Sequence, residues 1–166
     1  MPDNTLIIKT KMTQQDFIGA SFALRYRRIS TKIITGVAVL YLGYNIYLSV
    51  IYPDAAYATL FIAPLIIILI PLILSYLSAI VTYKTSKRLA EDIEYTFSDD
   101  YFSIKGESFN SQYSWDKIYK VSQTKSWILI WQNSLIATPI PKRDLQESDI
   151  RTLKTMLDFH QVKNNL

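Results

Sequence analysis

Cysteine is absent from this 166-residue chain, and histidine occurs once, at His160. The first absence excludes a disulfide framework and thiol redox chemistry. One imidazole without a thiolate also excludes a zinc centre of the usual ligand types. Glycine is scarce, with four residues at positions 19, 36, 43 and 106, and none belongs to a phosphate-cradling loop. A catalytic nucleophile needs a base within hydrogen-bond reach, and no Ser or Asp motif accompanies His160. We therefore expect no enzyme, no catalytic residue, no metal and no cofactor. Charge of a single sign is missing too: residues 84–166 carry 12 basic and 11 acidic side chains. A surface so nearly neutral lacks the field that nucleic-acid binding requires.

The most telling absence is of charge altogether. Between Lys32 and Lys84 the only charged residue is Asp54, leaving uncharged stretches of 21 residues (Ile33 to Pro53) and 29 residues (Ala55 to Tyr83). A helix rises about 1.5 Å per residue, so about 20 apolar residues cross a hydrocarbon core roughly 30 Å thick. Both stretches reach that length, and we expect a helical hairpin in the lipid bilayer. A cleaved leader would place its apolar region near the start. Here the first long run begins only at Ile33, so retention in the membrane is expected.

Orientation follows from the flanks. Arg25, Arg27, Arg28 and Lys32 precede the first span, Lys84, Lys87 and Arg88 follow the second, and the connection has no Lys or Arg. The positive-inside bias puts both termini in the cytoplasm. Tyr47, Tyr52 and Tyr57 around the Pro53-Asp54 turn suit the outer headgroup layer, and Tyr26 and Tyr83 the inner one. Gly36 and Gly43, seven apart, share a helical face on which a second backbone can approach, either the partner span or a second copy. Ala63, Ser75, Ser78 and Ala79 offer similar room. Asn45 is suited to a hydrogen bond with a neighbouring helix. Pro64 and Pro71 remove backbone donors and should bend the second span.

The flanking segments are richer in pattern. Leu6 to Met12 suits a short strand, and Thr13 with Asp16 forms a capping-box pattern at the start of a helix from about Gln14 into Arg28. That helix either stops there or continues into the first span. After Tyr83 a polar helical extension should reach about Glu91. Strands follow at Ile93–Phe97, Tyr101–Lys105, Ser108–Trp115, Ile118–Gln123, Trp127–Trp131 and from Leu135, the last ended by Pro139 and Pro141. Ser98-Asp99-Asp100 supplies a turn. Glu147 to Gln161 is helical, with Ile150, Leu153 and Leu157 on its apolar stripe and a cap at Gln146 or Ser148. The whole reads as an α+β membrane protein: residues 1–32 a cytoplasmic strand and juxtamembrane helix, 33–83 a transmembrane helical hairpin, 84–166 an antiparallel β domain with a C-terminal helix. The meander's edges need closure, and Leu6–Met12 could add a seventh strand that joins the two ends of the chain around the inserted hairpin.

These features in this order resemble the YcxB-like family of small bacterial membrane proteins. The resemblance rests on the N-terminal strand and a helix ending in Tyr26-Arg27-Arg28, the paired spans, and Ile93-Glu94-Tyr95-Thr96-Phe97-Ser98-Asp99-Asp100. It continues through Tyr113-Ser114-Trp115 with Ile118, and Ile140-Pro141-Lys142-Arg143 before the last helix. It implies a bacterial inner-membrane protein whose cytoplasmic domain is similar to pleckstrin-homology (PH)-like domains. It implies no reaction and transfers no functional residues.

Four residues stand out for contact with a partner or lipid. Trp127 and Trp131, four apart in a strand, share a face; core packing or contact with the membrane surface competes with ligand stacking there. Lys142 and Arg143 could meet a lipid phosphate or an acidic partner, or form a solvated turn. Asp99, Asp100 and Glu107 read as turn residues in preference to a cation site. The expected function is non-enzymatic: a PH-like domain held at the inner leaflet for protein–protein recognition. Its partners are then the bilayer and another protein, with a homo-oligomer as a further option. An immunity protein that neutralises a toxin at the inner membrane is the first alternative, and an oligomeric pore or transport accessory the second.

Overall fold

The computed structural model describes residues 5–27, 29–52 and 58–166, with side chains for all but 58–61. The expected Pro53-Asp54 turn, Tyr57 and Arg28 lie outside the described residues. The chain separates into two compact units. One is formed by the N-terminal stretch to Phe17 together with Tyr83–Leu166, and the other by Ile18–Thr82.

Among its described residues the first unit holds seven strands. β1 (Leu6–Lys11), β2 (Asp92–Phe97), β3 (Tyr101–Lys105) and β4 (Asn110–Ser114) form an antiparallel sheet in that order. β5 (Lys120–Gln123), β6 (Trp127–Trp131) and β7 (Ala137–Pro141) form a second. The N-terminal strand pairs with the first strand after the apolar stretch: Ile8 faces Tyr95 and Thr10 faces Ile93. The meander is not continuous, because a 3-10 turn over Trp115–Lys117 separates β4 from β5. Alternation along β2 and β3 sends Ile93, Tyr95, Phe97, Phe102 and Ile104 inward. Phe97, Phe102 and Tyr113 face one another across three strands, with Phe97 and Phe102 ring centroids 4.8 Å apart. On the outer face Lys9 and Lys11 pair with Glu94 and Asp92, each at 3.3 Å.

A C-terminal helix (Glu147–Phe159) closes this core with Leu153, Met156 and Leu157. Its start is Gln146, whose backbone N–H donates to the Asp149 carboxylate at 2.8 Å. The residues after it run beside β5. Val121 N–H donates to the Lys163 carbonyl at 2.8 Å, and the Gln123 N–H to Asn165 Oδ1 at 2.9 Å. The edge of the second sheet is thereby covered.

Several expected boundaries move. β7 passes through Pro139 and ends, as expected, at Pro141. The Lys142 amide bonds the Ser126 carbonyl and the Gln132 amide bonds the Ile136 carbonyl. Even-numbered positions of β7 therefore face β6, and both proline nitrogens point away from it, as an edge strand allows. Leu135 and Ile136 precede the strand because Asn133 Oδ1 accepts both their amides at 2.8 Å. The polar helix expected after Tyr83 is a 3-10 turn over Lys87–Ala90.

Among the described residues two helices are long and apolar enough to cross a membrane, Ile29–Ile51 and Ile62–Thr85 of a helix that begins at Ala58, and they make up most of the second unit. We label the helices α1 (Gln14–Tyr26), α2 (Ile29–Ile51), α3 (Ala58–Thr85) and α4 (Glu147–Phe159). α1 ends at Tyr26 and does not run on into α2. In α2 the buried positions are Ala38 and Asn45, seven apart; in α3 Ser75 and Ala79 are buried, and Ala63 and Ser78 are exposed. Gly36 and Gly43 lie elsewhere: a Cβ on either would meet nothing within 4 Å. Among the described residues, the glycines thus serve no close helix packing. Asn45 Nδ2 donates to its own helix at the Tyr41 carbonyl, 2.7 Å away, and not to a neighbouring helix.

Candidate functional site

Two regions of the first unit gather the polar and exposed apolar groups that stand out. The first lies where the chain leaves and re-enters this unit. α1 begins with the expected capping box: the Thr13 amide donates to Asp16 Oδ2 at 2.8 Å, and the Asp16 amide to Thr13 Oγ1 at 3.2 Å. The other Asp16 oxygen accepts from Arg143 Nη1 at 2.5 Å. Arg143 Nη2 donates to the Lys11 carbonyl at 3.1 Å, and Thr10 Oγ1 donates to Asp144 Oδ2. Tyr83 Oη donates to the Met12 carbonyl at 2.9 Å, and its ring lies 6.2 Å from that of Phe17. A short basic turn, the first strand and the two chain passages are clamped together.

The electrostatics follow from this geometry. Partial burial pushes the Asp16 carboxyl up, but the hydrogen bonds from Arg143 and Thr13 outweigh it and hold the group below its ordinary 3.8. The Asp16 hydrogen bond in turn raises Arg143 above its ordinary value. This arrangement is an ion pair that ties the first strand to the Lys142–Asp144 turn.

The four singled-out residues separate accordingly. Arg143 is half exposed, with its guanidinium committed to Asp16 and Lys11. Lys142 Nζ donates to Gln123 Oε1. Trp127 lies next to Lys142, paired with Pro141 in the sheet, and is 8% exposed. Trp131, at the far end of β6, is 5% exposed and donates its indole N–H to Ser122 Oγ at 2.9 Å. Both faces of β6 are buried, with Ile128 and Ile130 in the main core. Trp115 is buried as well, donating to the Ser98 carbonyl and stacked 4.8 Å from His160. Among the described residues, no group of three or more His, Asp or Glu could hold a metal ion.

The second region escaped the sequence reading. Tyr119, Leu135 and Ile136 are 56%, 63% and 59% exposed. The Tyr119 amide bonds the Trp131 carbonyl at 2.8 Å, and the adjoining Gln132 amide bonds the Ile136 carbonyl at 3.1 Å. Three exposed apolar side chains therefore flank one end of β6. Lys120 Nζ lies 5.4 Å over the Tyr119 ring and 5.2 Å over that of Trp131. The usable signal was the apolar pair directly after Gln132-Asn133-Ser134, which strand periodicity had absorbed into β7.

Residues 97–157 match the family model described as YcxB-like protein. This segment is similar to that family. It begins at the last residue of β2, includes β3 to β7, and ends at Leu157 in α4. The YcxB-like segment contains Trp127, Trp131, Lys142, Arg143 and the exposed tip, whereas β1 and both apolar helices lie outside the match. No curated protein and no solved structure matches the chain.

Proposed function

We propose that this chain is a two-span protein of the bacterial inner membrane, with both termini in the cytoplasm, whose first unit is a PH-like domain recognising another protein at the inner leaflet. Four strands, three strands and one closing helix support the PH-like reading. Insertion of the apolar helices between β1 and β2 supports anchoring, because paired neighbouring strands bracket them. Basic residues on both outer flanks of the spans favour the cytoplasmic orientation. A domain so tethered meets membrane-resident partners at raised effective concentration.

The observation that carries recognition is the exposed tip of Tyr119, Leu135 and Ile136. A cluster of large apolar groups in water is a contact surface by default. A photoreactive residue at Leu135, crosslinked in native membranes and analysed by mass spectrometry, tests the reading. One dominant protein partner is the expected result, and a secreted toxin as that partner would specify an immunity role. Crosslinks confined to lipid or to other copies of the chain would overturn protein recognition.

A further inference from the structure

The two sheets of the first unit are open and so have four edges, at β1, β4, β5 and β7. A bare edge is a row of unpaired N–H and C=O groups, ready to pair with another chain. Three of the four are protected, each in its own way. β1 carries exposed Lys9 and Lys11, and Arg143 occupies the Lys11 carbonyl. β5 is covered by the residues after α4, where Lys163 and Asn165 accept the Val121 and Gln123 amides. β7 turns the nitrogens of Pro139 and Pro141 outward, where they offer no donor.

β4 is the fourth edge, and its sequence Asn-Ser-Gln-Tyr-Ser holds neither charge nor proline. The Gly106 amide donates to the Phe109 carbonyl at 2.9 Å, which makes these two a hydrogen-bonded pair. Such pairs alternate along an antiparallel ladder, and the next are Ile104 with Ser111 and Phe102 with Tyr113. Ser111 and Tyr113 therefore direct their backbone groups to β3, whereas those of Asn110 and Gln112 point away from the sheet. Asn110, Gln112 and Ser114 are exposed, and among the described residues no strand pairs with this side of β4.

We propose that β4 pairs with β4 of a second copy of this chain, antiparallel about a dyad through Gln112, so that the two four-stranded sheets become one. In this register Gln112 faces its own copy, Asn110 faces Ser114 of the other chain, and Ser111 faces Tyr113. Every one of these residues is uncharged, so no like charges meet across the dyad. A two-fold interface uses the same patch on both chains and needs only a self-complementary surface, which a neutral polar strand provides. Selecting one foreign strand over another would draw on a pattern of charges, and β4 has none.

The test uses the full chain in native membranes and exploits its lack of cysteine. Across the dyad the two Gln112 Cα atoms should lie about 5.5 Å apart, within disulfide reach. Gln112→Cys should thus give a disulfide-linked dimer on mild oxidation. Ser103→Cys, opposite Gln112 on β3, should stay monomeric, because three strand spacings separate the two copies by about 14 Å. Asn110→Cys should link to Ser114→Cys on a co-expressed chain, while neither links to itself. Added to both of those chains, Gln112→Lys sets like charges face to face and should cut the yield about fivefold. Gln112→Pro removes an outward N–H, leaves the bonds to β3 in place, and should cut it about tenfold. No dimer from Gln112→Cys, equal yields from Gln112→Cys and Ser103→Cys, or a yield unchanged by both Gln112→Lys and Gln112→Pro would overturn the pairing. A Gln112→Cys adduct carrying a different protein would overturn it in favour of a foreign strand.

Discussion

Gln161 is the described non-glycine residue with a positive φ, 56°. It sits just past α4, where its amide donates to the Asp158 carbonyl at 3.1 Å and the Val162 amide to the Leu157 carbonyl at 2.8 Å. This is the Schellman end of a helix, and its left-handed position ordinarily falls to glycine. Gln161→Gly should therefore raise stability by about 1 kcal/mol, read by thermal unfolding followed through fluorescence of the three tryptophans. Asp16 offers a second test. Its pKa is depressed on folding, so its stabilisation is fully present above the unfolded value and is lost as pH falls through the folded one. Asp16→Asn should cost about 1 kcal/mol at neutral pH, given a half-exposed Arg143 partner. The gap between variant and wild type should close below the ordinary carboxylate range near pH 3.8. A gap that persists in acid would mean that Asp16 acts through its shape and not its charge.

Among the elements, β1 has the largest consequences for its size. Ile8 is 2% exposed and Met12 4%, and the Thr10 hydroxyl and Lys11 carbonyl hold the Lys142–Asp144 turn. Burying one such aliphatic side chain contributes about 1.5–3 kcal/mol. Removing residues 1–12 should therefore lower the melting temperature of the β unit and abolish its protease-resistant fragment. An undiminished fragment would show that the six later strands and α4 suffice. β7 makes the complementary point. Prolines at 139 and 141 are compatible with a strand because only one of its edges is paired, a circumstance set by sheet order and not by the local residues.

For the whole molecule, the absence of cysteine makes topology directly testable. A single cysteine at Tyr52 should react with a membrane-impermeant maleimide in intact cells, whereas one at Leu135 should react only after permeabilisation. The opposite pattern would invert the orientation. Most of the element order was legible in the chain: β1, the capping box at Thr13, the apolar helices, the strand series and α4 each leave a periodicity within about ten residues. The clamp was not, because Asp16 and Arg143 are 127 positions apart and neither carries a local mark of the other. The exposed tip was hidden for a different reason, since Leu135 and Ile136 continue a strand pattern that Asn133 interrupts by taking their amides. By itself the sequence determined where long apolar helices and alternating strands form, since hydrophobic length and period are properties of neighbouring residues. Only the tertiary structure decided that β1 closes onto β2, that Gly36 and Gly43 face outward, and that Arg143 is occupied internally. Those outcomes depend on which distant groups reach hydrogen-bond or van der Waals distance once the chain has folded.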